Sequence, residues 1–263
     1  MLANELAGRI TAEIVQGVAT LVIDNPGRRN AIDAAMWRQL DKVLAELAED
    51  SDVRVLVLRG AGERAFSTGA DISELAELVA HPEQLAENNR LIQQAQARLE
   101  SFPRPTIALI HGACVGGGCG LALACDYRLA ADNARFGITP ARLGLLYSER
   151  DTRRLHRLVG PAHCREILFG GDLFDGARAM QIGMLNQLLP TSELQTACDT
   201  LAGKLASASR YALHGIKATL ASIEGYGAHT PEQLQQLFDG AFTAEDCREG
   251  AAAFLEKRAA KFT

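Results

Sequence analysis

The chain has 263 residues, 48% of them hydrophobic, and a formal net charge of -5. That length fits one large domain, or one domain with a helical appendage, and the apolar content supports a sizeable core. The acidic balance argues against general nucleic-acid binding, and no stretch approaches the ~20 apolar residues of a membrane span. Met1 to Thr11 holds no apolar run of signal-peptide length, so a soluble cytoplasmic protein is expected. The six cysteines form no CxxC pair and no zinc-finger spacing. Cys114, Cys119 and Cys125 sit among small apolar residues and read as buried free thiols. No metal site emerges.

In chain order, Arg9 to Val15 and Val18 to Ile23 alternate like strands across Gln16-Gly17 and predict a hairpin. Ile32, Met36, Leu40, Val43, Leu44 and Leu47 mark one helical face, with Asp33 placed to cap it. Asp52 to Gly60 is the clearest strand. A loop leads to Gly69, and a short helix is expected near Asp71. Glu83 to Ser101 reads as a polar helix ended by Pro103 and Pro105. Thr106 to Ile110 is a strand, Gly117 to Cys125 a buried helix, and Asp126 to Ala131 a strand again. Beyond Pro140 the pattern is mostly helical, with Leu185 to Leu189 a possible last strand. The division expected is an α/β core over 1–190 and a helical region over 191–263.

Two stretches carry the chemistry: Phe66-Ser67-Thr68-Gly69-Ala70-Asp71-Ile72 and His111-Gly112-Ala113-Cys114-Val115-Gly116-Gly117-Gly118-Cys119-Gly120. Each follows a strand pattern and runs through small residues into a helix. Such turns let two backbone N–H groups reach one oxygen with no side chain between them. The second stretch fails the P-loop pattern, because Gly118 follows Gly117 where a lysine is required. It fails the dinucleotide fingerprint as well, with Leu121 and Leu123 at the final glycine position. A helix N-terminus aimed at a developing negative charge remains, and a thioester carbonyl becoming an enolate suits it.

At these residues the sequence resembles the enoyl-CoA hydratase/isomerase family, the crotonases. The likeness extends through Asn25-Pro26, Asn30-Ala31, Arg104-Pro105-Thr106, Cys125-Asp126, Ala134-Arg135-Phe136-Gly137, Leu158-Val159-Gly160 and Phe254-Leu255-Glu256-Lys257-Arg258. It implies an α/β fold, a crotonase-like ββα superhelix core with a helical C-terminal trimerisation region. It also implies an acyl-CoA thioester as ligand, with coenzyme A entering as part of the substrate and no separate cofactor, and a homotrimer or hexamer. By motif position the oxyanion donors would be the N–H groups of Ala70 and Gly117. Arg28, Arg29, Ala31, Gly69, Asp71 and Ile72 would line the CoA path. Phe254 and Lys257 match positions that touch CoA in relatives, sometimes from a neighbouring subunit.

The resemblance also exposes a departure. Hydratases of the family carry two glutamates, at the positions of Gly120 and Pro140 here. Water addition needs a base for the water and an acid for the α-carbon, and neither residue supplies one. Relatives have a glycine-rich run where this chain has Tyr147-Ser148-Glu149-Arg150-Asp151-Thr152. Tyr147, Glu149 and Asp151 are therefore the candidate proton-transfer residues, with pocket wall and helix capping as the plain alternatives. Arg150 could hold a substrate carboxylate. The Thr139-Pro140 and Tyr147 segment also looks like the methylmalonyl-CoA decarboxylase branch. Three functions stay open: a lyase or isomerase with altered acid/base groups, a decarboxylase, and an acyl-CoA-binding protein without turnover. Residues 147–151 discriminate between them, by facing the thioester pocket or solvent.

Overall fold

A computed structural model describes residues 8–262. The N-terminal stretch searched for a leader lies mostly outside them. In chain order the elements are β1 (Arg9–Val15), β2 (Val18–Asp24), α1 (Ala34–Glu49), β3 (Val55–Gly60), β4 (Ala65–Ser67), α2 (Ile72–Leu78) and α3 (Pro82–Glu100). Then come β5 (Thr106–Ile110), β6 (Ala113–Val115), α4 (Gly117–Ala124), β7 (Tyr127–Ala131), β8 (Arg135–Gly137) and α5 (Glu149–Gly170). The chain ends with β9 (Leu173–Asp175), α6 (Gly176–Gln181), β10 (Gln187–Leu189), α7 (Thr191–Ala206), α8 (Arg210–Ile223), α9 (Pro231–Ala241) and α10 (Glu245–Leu255).

Two sheets organise the molecule. The larger is six-stranded in the order β1-β2-β3-β5-β7-β10. The β1–β2 pair is the expected antiparallel hairpin, and the other neighbours pair in parallel. Strands β3 and β5 are nearly continuous apolar runs because both faces are covered. Trp37, Leu40, Leu44 and Phe66 pack on one face, and Leu194, Cys198 and Leu205 of α7 on the other.

The second sheet runs β4-β6-β8-β9, with β9 antiparallel. Periodicity predicts none of its strands. Each is three residues long, too short for an alternating pattern to register. β4 follows β3, β6 follows β5, and β4 pairs with β6 in parallel, so the chain leaves β4 for α2 and β6 for α4 at adjacent points.

Local chemistry sets the helix ends. Asp33 accepts from Met36 N–H (2.8 Å) and caps α1 as expected. α3 opens one residue early, on Pro82, because proline suits the first turn. α5 is broken at Gly160, whose φ of 73° precedes Pro161. No helix among the described residues is long and apolar enough to cross a membrane. Five cysteines are buried and Cys247 is exposed, all as free thiols.

Candidate active site

The first glycine stretch is fixed by the turn before α1. Asn30 adopts φ +55° and is 1% exposed. Its amide donates to Ala61 O (3.1 Å) and Ala65 O (2.7 Å), and its carbonyl accepts from Ser67 Oγ (2.7 Å). That clamps residues 30–32 beside 67–71. Ile32 N–H donates to Gly69 O (2.8 Å), and Asp71 N–H donates to Ile32 O (3.3 Å). This bridge uses the Gly69 carbonyl and the Asp71 N–H on either side of Ala70 and leaves the N–H of Ala70 itself outside the pairing.

The second stretch delivers the partner donor. Gly117 is the first residue of α4, where N–H groups have no intrahelical acceptor. Among the described residues, neither the Ala70 nor the Gly117 N–H has an acceptor. The two loops touch backbone to backbone. A Cβ on Gly69, which has φ +81°, would fall 2.5 Å from Gly117 N, and one on Gly118 would fall 2.2 Å from Ser67 O. Glycine is required at both positions for the donors to converge. The arrangement can hold one oxygen bearing negative charge at the N-terminus of a helix.

The first turn of α5 packs along α4 from the other side. Tyr147 is partly buried, and its hydroxyl donates to Gly116 O at 3.4 Å. One turn further, Asp151 is 4% exposed and faces Gly120. A Cβ on Gly120 would lie 3.0 Å from Asp151 Oδ1 and 2.2 Å from the fully buried side-chain amide of Gln96. Asp151 and Gln96 thus occupy the volume that a side chain at 120 would take. The carboxylate accepts from Ser148 Oγ (2.7 Å) and Arg154 Nη1 (2.8 Å). Gln96, with its amide nitrogen turned toward the carboxylate, donates to both oxygens at 3.1 Å.

Behind Asp151 an ion network runs through buried groups and out to the surface. Arg154, 1% exposed, also binds Glu100 (2.7 Å), which pairs with Arg157 (3.2 Å). Arg157 in turn reaches Glu224 (3.3 Å) and lies over the Tyr226 ring. Burial lowers the Arg154 pKa, but the bonds and charges of Glu100 and Asp151 outweigh it and hold it above the ordinary value. Burial, followed by the Asp151 charge, pushes the Tyr147 phenol well above its ordinary value. It therefore stays protonated at neutral pH.

The remaining sequence candidates fall in three places. Arg28 pairs with Asp71, which caps α2 through Ser73 N–H (2.9 Å) and Glu74 N–H (3.4 Å). Burial raises the Asp71 pKa, but Arg28 and those two N–H groups bring it below the ordinary value. Arg29 has φ +53°, Ala31 is buried, and Ile72 opens α2. Glu149 and Arg150 face solvent, with Glu149 72% exposed and paired to Arg153. Phe254, 83% exposed, and Lys257 lie at the end of α10. The segment 147–151 is thus split, with Tyr147 and Asp151 turned inward and Glu149 and Arg150 outward.

Pro140 opens a short 3-10 turn, Pro140–Leu143. His111 is buried, and its Nδ1 has no partner among the described residues. Burial lowers its pKa. Gln96 is the site residue with no sequence signal, since a glutamine on a polar helix looks like surface. A cleft of about 380 Å³ opens elsewhere, between the end of α4, α5 and α8, and none of residues 69–72 or 116–117 lines it. No group of three or more His, Cys, Asp or Glu among the described residues is placed to hold a metal.

A family model described as enoyl-CoA hydratase/isomerase matches residues 13–263. A Bacillus subtilis protein named "probable enoyl-CoA hydratase" is 37% identical over 96% of this chain and 98% of its own length. A crotonyl-CoA hydratase from Syntrophomonas wolfei is 32% identical over 96% of this chain and 97% of its own. A crystal structure from Hyphomonas neptunium, assigned to the enoyl-CoA hydratase/isomerase family, superposes with a TM-score of 0.91 at 38% identity, covering 97% of each chain.

Proposed function

The chain belongs to the enoyl-CoA hydratase/isomerase family and has its crotonase-like α/β fold, and we propose that it acts on an acyl-CoA thioester through an enolate held by the Ala70 and Gly117 N–H groups. The observation that supports this reading is the close approach of Gly69 to Gly117, which sets side by side two N–H groups without an acceptor among the described residues. Charge builds on the thioester oxygen as the enolate forms, so fixed donors there stabilise the transition state more than the ground state. Gly120 and Pro140 offer no carboxylate, so the two-glutamate route of water addition is not assigned to this chain. Asp151 and Tyr147 are the ionisable groups left against α4. Glu149 is assigned no chemistry, because its carboxylate is spent on Arg153 in solvent.

One observation favours a decarboxylative form of the same enolate chemistry. Both Asp151 oxygens are already engaged, by Arg154, Ser148 and Gln96. Its oxygens are thus occupied by these donors, and loss of carbon dioxide yields an enolate without any base.

We further propose that the CoA moiety runs past Gly69 to Ile72, Ala31 and the Arg28–Arg29 turn. Phe254 and Lys257 would reach it from a neighbouring subunit of a homotrimer or hexamer. The exposure of Ile223 (76%) and Phe254 (83%) on the C-terminal helices supports association. Sedimentation of the full chain tests that part, and a monomer would remove it.

Mass spectrometry of CoA thioesters after incubation with the protein tests the reaction. Loss of carbon dioxide from methylmalonyl-CoA would select decarboxylation. Double-bond migration in a 3-enoyl-CoA would select isomerisation. Hydration of crotonyl-CoA at ordinary hydratase rates would contradict the argument from Gly120 and Pro140. Binding without any product would leave a carrier of acyl-CoA.

A further inference from the structure

Tyr147 is placed to act through a peptide bond. Its hydroxyl faces Gly116 O at 3.4 Å. That carbonyl already accepts the α4 bond from Gly120 N–H at 3.1 Å. Gly116 C=O and Gly117 N–H belong to one planar, resonant peptide unit. A donor on the carbonyl draws electron density toward oxygen and makes the N–H at the other end a stronger donor. The Gly117 N–H has no acceptor among the described residues, and its nitrogen lies against the Gly69–Ala70 backbone.

Three features fix the phenol in this role. Ser148 caps α5 by accepting from Asp151 N–H (3.0 Å), which sets the turn that carries Tyr147. Gly116 is itself anchored by its N–H to Gly137 O (2.8 Å). Burial and the Asp151 carboxylate keep the phenol protonated, so toward Gly116 it donates.

We propose that Tyr147 is a positioning residue that polarises the Gly116–Gly117 peptide and thereby strengthens the Gly117 donor, rather than the proton donor to substrate. This rests on the reading of Ala70 and Gly117 as the enolate-binding pair. Magnitude separates the two roles. Cooperative strengthening is on the order of 10–30% per bond, and a whole donor is worth roughly 10²–10³ in rate, so losing the phenol costs about two- to fivefold in kcat. Losing a general acid would cost roughly 10²–10⁴.

The test is Tyr147→Phe, read by isotope-edited infrared spectra of bound butyryl-CoA labelled with ¹³C at the thioester carbonyl, alongside kinetics. Native protein is expected to lower the carbonyl frequency, and Tyr147→Phe to lower it less. The variant should lose about two- to fivefold in kcat with KM nearly unchanged and the pH–rate profile unaltered. Fluorotyrosine at 147, a stronger donor, should increase the carbonyl shift, which mere packing would not do. A native shift left untouched by Tyr147→Phe would overturn the role, as would loss of a pH limb or a drop beyond about 100-fold. No carbonyl shift in the native protein would instead remove the enolate-binding pair, and this role with it.

Discussion

Asp151 fills the space that Gly120 leaves. Its Oδ1 stands 3.0 Å from where the first side-chain carbon of residue 120 would be. The carboxylate comes from the first turn of α5 and is closed in by Gln96, Ser148 and Arg154. The glycine is therefore a packed position, and the volume that a side chain at 120 would take is already filled.

It follows that Gly120→Glu does not restore a hydratase. Even Gly120→Ala pushes the Gln96 amide off Asp151 and is expected to cost about 1–3 kcal/mol, the usual scale for overpacking. Gln96→Ala should recover part of that loss in the double variant, with a coupling above roughly 0.5 kcal/mol. Urea unfolding of the four proteins measures it, and strict additivity would show that the two residues do not share the space.

Arg154 is the hub of the buried charges. Arg154→Met leaves Asp151 and Glu100 without their shared partner, and a loss of about 3–5 kcal/mol is expected. The same change at Arg153, whose partner Glu149 is in solvent, should cost under about 1 kcal/mol. Thermal or urea unfolding of the pair checks the contrast.

Much of this was legible in the chain, and the limits have physical causes. The main-sheet strands β1, β2, β3, β5 and β7 are long enough to show their periods. The second sheet is not, because β4, β6, β8 and β9 are each three residues. The glycine stretches were readable, since Gly69 and Gly118 occupy positions where a Cβ would strike backbone. What lies in a volume vacated by a side chain is a tertiary fact. Asp151 was a candidate by motif position, but Gln96 and the burial of Arg154 come only from how α3, α4 and α5 pack.

The Arg28–Asp71 pair gives a pH-dependent stability. The Asp71 pKa lies below its unfolded value, near 4, so its stabilisation is present above that pH and is lost as pH falls through the folded value. Arg28→Ala should therefore lower the urea midpoint at neutral pH, with the difference shrinking as the solution is acidified. A difference that stays constant with pH would show that the pair does not set the Asp71 pKa.

Trp37 is the only tryptophan in the chain, fully buried, and 3.7 Å from where a Cβ on Gly117 would sit. Its indole N–H has no partner among the described residues. Fluorescence from this single residue should report the site directly. Titration with an acyl-CoA is expected to change its emission saturably, and free CoA, which lacks the thioester, should change it less. An identical response to both would place the thioester away from Gly117.

In the proposed reaction, thioester chemistry depends on the Gly117 N–H. Gly117→Pro replaces that N–H with a ring carbon, at a first-turn position whose backbone proline tolerates. The direct measurement is the single-turnover rate of the variant on whichever thioester the native protein converts, with affinity measured alongside. The expected result is a loss of roughly 10²–10³ in rate with little change in affinity for CoA. Turnover equal to that of the native protein would contradict it.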